Sequence, residues 1–400
     1  MKMRPEARKK PGICFVSLNN FPVLSASRDA EHIGGAEVQQ KYIALGLAGR
    51  GYPVSFVTLD HGQQDGLFVD GVRVFKAYAK DSGIRRLRFI HPRCTGLWAA
   101  MRRAGADVYY QRTASDESGE VCAWCRLHGR RFVFAAAHDS NCDPDLPALQ
   151  TRRERLLYRY ALRGADAVIA QTDRQQEAFL RFFGRRAVVI RNCCPSKHVV
   201  DESHISKPKG RPRVLWAGRF SPQKRLEWCL DLAEQLPQFH FDVVGGGETS
   251  SQYARGLRHR GADLPNVTFR GVVPHRRMPE LYERSSVVLS TSRAEGFPNV
   301  FLEAWSRGRP VVGTVDPDGV IAGHRLGCVA QSPDGLRAAL LGLLEAADPW
   351  REYARNALRY VASRHSIERI LEHYERLFRN VMRGKQPQAV SPSTQAVPDL

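Results

Sequence analysis

The 400-residue chain predicts an α/β protein of two Rossmann-like domains, and three observations predict it. Short apolar runs alternate with helical patterns along most of the sequence, and strands that alternate with helices form parallel sheets covered on both faces. The alternation comes in two series, separated by Asp201 to Arg213, which reads D-E-S-H-I-S-K-P-K-G-R-P-R. That stretch is polar, prolyl and free of apolar periodicity, as an interdomain connection should be. Length agrees, since single cores stop growing at about 250–300 residues.

In the first series strands are expected at residues 12–18, 52–59, 72–77, 106–111, 131–137, 166–171 and 187–191. A polar loop after the first strand ends in Gly34-Gly35, which opens a helix with Val38, Tyr42, Leu45 and Leu47 at apolar positions. Two glycines before a helix let the backbone come close to a ligand, and the N-terminus favours an anion. A further helix is expected over Ser118–His128. In the second series strands are expected at 213–217, 240–244, 266–270, 286–290, 309–313 and 327–330, followed by helices at 348–364 and 367–383. Residues 385–400 are rich in Pro, Ser and Gln, the composition of a disordered tail.

The densest chemistry lies in Ser292 to Ala304, S-R-A-E-G-F-P-N-V-F-L-E-A. Glu295 falls on the loop after a buried-strand candidate, and Glu303 falls within a helix whose first turn suits Pro298. A second block, Val214 to Arg225, reads as strand, Gly218 turn, basic loop with Arg219 and Lys224, and helix start. His138 and Arg112 end two first-series strands, on the sheet edge where open α/β folds bind ligands.

The run E-G-F-P-N-V-F-L-E-A-W, followed by a Gly-x-Pro-Val-Val strand from Gly308 to Val312, resembles the E-x7-E signature of retaining, nucleotide-sugar-dependent glycosyltransferases of family 4. That resemblance implies the GT-B architecture, two Rossmann-like domains facing across a crevice, with the final helix crossing back to the first domain. The domains would be residues 1–204, completed by 367–384, and residues 205–366. It further implies that Glu303 holds the donor ribose, that Glu295 contacts the donor sugar near the reacting carbon, and that Phe297, Pro298, Asn299 and Val300 hold the diphosphate. Gly218, Arg219 and Lys224 match the family's G-R-x-x-x-x-K element, whose cations would neutralise the leaving diphosphate, where charge collects as the sugar–phosphate bond breaks. Gly34 and Gly35 match its G-G-x-E loop, and His138 would lie against the donor sugar. Arg112 would face the acceptor or a donor phosphate. For such enzymes the leaving phosphate takes the acceptor proton and Arg219 and Lys224 would do a metal's electrostatic work, so no metal and no cofactor are expected, and the substrate would be a UDP-sugar. The acceptor would be a glycan or a lipid-linked group in cell-surface polysaccharide biosynthesis.

The net charge is +19, of which +13 lies in residues 1–200. Arg152, Arg155, Arg159 and Arg163 recur at helical spacing, a stripe suited to an anionic membrane surface. With no stretch of about 18 apolar residues and no secretory leader visible, the expected location is the cytoplasm, with peripheral contact on the inner face of the membrane. Nine cysteines at irregular spacing suit reduced thiols. Cys122, Cys125, His138 and Cys142 have zinc-like spacing, yet a core strand runs between them, so no metal is expected there. Two other readings compete: a GT-B epimerase or phosphorylase, for which no convincing pyridoxal-phosphate lysine pocket is legible, and a nucleic-acid binder. The second is suggested by a pI near 9.9 but lacks any recognisable DNA or RNA module.

Overall fold

The computed structural model describes residues 10–25, 34–84, 89–195, 199–246, 252–345 and 348–385. These form two compact units: residues up to 25, 36–191 and 370 onward make the first, and 34–35 with 192–369 make the second.

The first unit is built on eight strands: β1 (Ile13–Val16), β2 (Val54–Asp60), β3 (Leu67–Val69), β4 (Val72–Ala79), β5 (Val108–Arg112), β6 (Arg131–Ala135), β7 (Ala167–Ala170) and β8 (Ala187–Val189). Their order is β3-β4-β2-β1-β5-β6-β7-β8, parallel throughout except that β3 runs antiparallel to β4. All four residues of β1 are buried, as continuous apolar strands of parallel sheets are. The strand order reverses between β1 and β5, which makes that edge the switch point where such sheets take ligands.

Periodicity alone misses β3, whose residues are only partly covered. A local signal for it was nevertheless present. Asp70 (φ 49°) and Gly71 (φ 81°) join β3 to β4 with both central residues left-handed, the tight hairpin turn that Asp-Gly favours. The helix Gly35–Gly49 forms, but Val38, Ile43, Ala44 and Leu47 are its buried apolar residues, while Tyr42 and Leu45 are only half-buried. The basic helix is Arg152–Gly164, started by a capping box in which Thr151 accepts from Glu154 N–H and Glu154 from Thr151 N–H.

From Ile370 onward the helix Ile367–Met382 belongs to the first unit. Leu371 presses so closely on Gly46 that a Cβ there would lie 2.4 Å from its Cδ1. Tyr374 and Tyr110 bring their hydroxyls to 3.3 Å, and Arg50 pairs with Glu375 at 3.0 Å. The expected disordered tail lies, beyond Lys385, outside the described residues.

The second unit has β9 (Arg213–Ala217), β10 (His240–Val244), β11 (Val267–Gly271), β12 (Val287–Ser290), β13 (Val311–Gly313) and β14 (Gly327–Val329). They pair in parallel in the order β11-β10-β9-β12-β13-β14, the doubly wound order with its switch point between β9 and β12. The unit begins at Asn192, earlier than the polar segment 201–213 suggested. That segment runs along the second unit, held by the Glu202–Arg359 pair at 2.7 Å and by Val200 N–H donating to Ser306 O at 2.9 Å. Polarity there reports a surface path, not a free connection. Among the described residues no helix is long and apolar enough to cross a membrane.

Candidate functional site

In the second unit the loops after β9 and β12 meet at the switch point. Arg293 N–H donates to Gln223 O at 2.8 Å, and Gln223 Nε2 donates to Ala294 O at 3.1 Å. Arg225 Nε donates to Thr291 O at 2.6 Å, while Thr291 Oγ1 donates to Lys224 O at 2.7 Å and accepts from Trp216 Nε1 at 3.0 Å. Side chains thus satisfy backbone groups that irregular loops would leave bare. The turn after β10 closes on the same place. Gly245 (φ 123°) packs so tightly that a Cβ would lie 1.9 Å from Gly218 O, so no larger residue fits beside the basic loop.

Lys224 Nζ is ion-paired with Glu295 Oε1, and both side chains are largely covered. Arg219 is exposed, and among the described residues its guanidinium has no acidic partner. Glu303 is held by a different pair: His275 Nε2 lies 3.0 Å from Oε1 and Tyr282 donates its hydroxyl to Oε2 at 2.6 Å. The two expected carboxylates therefore sit in distinct electrostatic settings, one facing a lysine and the other a tyrosine and a histidine.

The segment between them is anchored from behind. Asn192 Nδ2 donates to Phe297 O and to Asn299 Oδ1, each at 3.0 Å. The Phe297 ring packs against His365 with centroids 4.9 Å apart. His365 Nδ1–H donates to Asn192 O at 2.7 Å, Cys194 N–H donates to His365 O at 2.7 Å, and Cys194 bridges to Ser366. Pro298 is the cap before the helix Asn299–Trp305 and not its first residue. It has no N–H, so of the four residues expected to hold an anion only Phe297, Asn299 and Val300 offer a backbone donor. Gly34 and Gly35 also group with this unit, where Asn299 Nδ2 donates to Gly35 O at 2.7 Å. Asn192, His275 and Tyr282 escaped the sequence reading because each reaches its partner across the fold, without a local motif.

His138 and Arg112 lie in the first unit. His138 caps the short turn Asp139–Asn141, its Nδ1 accepting from Ser140 N–H at 3.1 Å. The ring proton of the neutral imidazole is therefore on Nε2. Arg112, 7% exposed, ends β5 at the switch point. Cys122 and Cys125 are buried in the helix Glu117–Leu127. Burial pushes the Cys122 thiol up to about 11 and the Cys142 thiol up to about 12, so neither is a ready thiolate ligand.

Residues 211–346 match the family described as glycosyl transferases group 1, and residues 34–193 match a glycosyl transferase 4-like domain. The chain belongs to the GT-B glycosyltransferases. The 2-deoxystreptamine N-acetyl-D-glucosaminyltransferase of Streptomyces fradiae is 29% identical to this glycosyltransferase over 254 residues, covering 56% of the chain. The chain spans 59% of that relative's length and under half of other curated relatives it matches. Among solved structures, a sucrose-phosphate synthase from Thermosynechococcus elongatus superposes with a TM-score of 0.77 at 20% identity, covering 94% of this chain and 100% of that one. Anabaena HepE in complex with UDP-glucose gives a TM-score of 0.73 at 21% identity, covering 92% and 100%. At these identities the likeness is one of fold.

Proposed function

We propose that this glycosyltransferase moves a sugar from a nucleotide-sugar donor to a glycan or lipid-linked acceptor in surface polysaccharide biosynthesis, with retention of anomeric configuration. The observation that carries the reading is the convergence of Lys224, Arg219, Glu295 and Glu303 in loops and a helix around the second unit's switch point. Arg219 and Lys224 take the donor diphosphate. Lys224 exchanges its Glu295 partner for a phosphate oxygen when donor binds, and Glu295 then contacts the donor sugar. Glu303 holds the ribose hydroxyls, its carboxylate oriented by Tyr282 and His275. Phe297, Asn299 and Val300 offer backbone N–H groups to the diphosphate.

Retention is supported by the match of the Glu295-to-Glu303 block to the signature of retaining enzymes: the acceptor hydroxyl attacks from the departing phosphate's own face and passes its proton to that phosphate. Preorganised cations supply the electrostatic stabilisation of the leaving group, so the reaction runs without a metal or cofactor. UDP is the favoured nucleoside diphosphate on the analogy of the Anabaena structure, whose ligand is UDP-glucose. The helix Arg152–Gly164 exposes Leu156 and Tyr160 among its arginines, which supports contact of a cytoplasmic enzyme with an anionic membrane surface.

The test is a thermal-shift screen with UDP, GDP and ADP. A ligand at 100 times its Kd adds about 2.7 kcal/mol of stability, so one diphosphate should stand out; no shift with any of the three would overturn the assignment.

A further inference from the structure

Arg225 breaks three local rules at once. It is the N-cap of the helix Leu226–Gln235, yet its side chain makes no capping bond, where Ser, Thr, Asp or Asn would give one. Its backbone is left-handed, with φ 48° and ψ 51°, a conformation that crowds any residue carrying a Cβ. Its charge stands at a helix N-terminus, where the unpaired N–H groups favour an anion. Burial, with Arg293 adding to it, holds the guanidinium below the usual arginine range. Departures of this kind gathered at one residue mark a position kept for something other than local stability.

What Arg225 gains is a clasp across the switch point. Its Cζ lies over Trp228, 3.8 Å from the ring centroid, and the fork reaches the end of β12. Nε donates to Thr291 O at 2.6 Å and Nη2 to Ser292 O at 3.1 Å. Thr291 answers in kind: its hydroxyl donates to Lys224 O at 2.7 Å and accepts from Trp216 Nε1 at 3.0 Å. The peptide between Lys224 and Arg225 is therefore held at its carbonyl and through the next side chain, both times against a fully buried threonine.

We propose that Arg225 is a positioning residue for the diphosphate: its clasp with Thr291, and not its own charge, sets where the Lys224 ammonium stands. The proposal rests on the glycosyl-transfer reading above. A lysine on an unfastened loop loses backbone and rotamer freedom on meeting a phosphate. The clasp meets that cost within the fold, and preorganised charge is what stabilises a leaving group. Arginine suits the task because its rigid planar fork meets two successive carbonyls at once, which a lysine ammonium does not. Ser292 stands three residues before Glu295, the partner of Lys224, so one guanidinium fixes the loops that carry both members of that ion pair.

Calorimetric titration of the full chain with UDP, and with GDP and ADP beside it, tests this, the tightest of the three being carried through the variants. Arg225→Gly keeps the left-handed backbone without crowding and removes the guanidinium. It should weaken the diphosphate about tenfold, the low end for a hydrogen bond to a charged group. In a Lys224→Ala background the same change should cost less than about twofold, and in a Glu303→Gln background the full factor, since residues of one network couple and independent ones add. Thr291→Val, which removes the hydroxyl, should behave as Arg225→Gly does, and Thr291→Ser should keep the parent affinity. Should Thr291→Val lose its fold, Arg225→Gly decides. Losses that add in the Lys224→Ala background, a loss that vanishes in Glu303→Gln as well, or parent-like affinity in Arg225→Gly would each overturn the proposal alone. A parent chain that binds none of the three diphosphates would instead bring down the glycosyl-transfer reading, and the proposal with it.

Discussion

Tyr282 gives its hydroxyl to Oε2 of Glu303 at 2.6 Å from a side chain that is 1% exposed. The bond fixes the carboxylate plane and leaves further lone pairs on both oxygens for a ligand. Tyr282→Phe keeps the ring and removes the bond. A hydrogen bond to a charged group contributes about 1.5–3 kcal/mol, and part of that is lost as misorientation of Glu303. UDP affinity should fall about tenfold by calorimetric titration; an unchanged affinity would show that Glu303 needs no orienting partner.

The basic loop should act on turnover. Removing one preorganised charge donor costs on the order of 10²-fold, so Lys224→Ala and Arg219→Ala should each slow turnover by about that factor while the fold stays intact. Lys224→Ala also leaves Glu295 without its counter-ion, so its effect should be the larger. Turnover near that of the parent in either purified variant would remove that residue from the mechanism.

The two carboxylates separate by what they bind. Glu303→Gln keeps the shape but weakens charge-assisted bonds, so affinity for free UDP should fall. Glu295→Gln should spare UDP affinity and lower turnover with the full donor, as expected of a contact stronger in the transition state than in the ground state. Equal losses of UDP affinity in both variants would collapse the distinction.

Stability should depend on pH through Glu120. Burial, with Glu117 and Asp116 adding to it, pushes its carboxyl up to about 8, whereas an unfolded glutamate titrates near 4.3. Between those values the folded chain binds the extra proton, so this group's contribution to stability declines as pH rises from about 4.3 and levels off above about 8. Glu120→Gln should therefore raise the melting temperature at pH 8 and do little at pH 4. A gain that is the same at both pH values would show that the carboxylate's ionisation is not the cause.

How legible the protein is in its sequence depends on the range of each signal. Buried parallel strands such as Val287–Ser290 and Arg213–Ala217 announce themselves as apolar runs, because both faces are covered. The helices Asp348–Arg364 and Ile367–Met382 are long enough for their period to show. The Glu295–Glu303 block is contiguous, so its chemistry is readable in one window. β3 is three residues long and half-covered, so only its Asp-Gly turn betrayed it. Tyr282, His275 and Asn192 take their meaning from partners that the fold supplies, 21, 28 and 105 residues away, and no local pattern can encode that. The start of the second unit was misplaced for a related reason: a surface segment held by Glu202 and Val200 has the composition of a linker.

Asn192, Cys194, His365 and Ser366 have a mechanical consequence. The chain enters the second unit at the first two and leaves it just after the last two, and the Phe297 loop is fastened to the same four-residue knot by Asn192 Nδ2 and by the His365 ring. Loop, entrance and exit therefore share one stiffness. A ligand that immobilises the loop should therefore also steady both chain crossings, through two bonds and a ring face. Occupancy of the site should then be readable as slowed amide exchange at Cys194 and His365, with no separate relay to build.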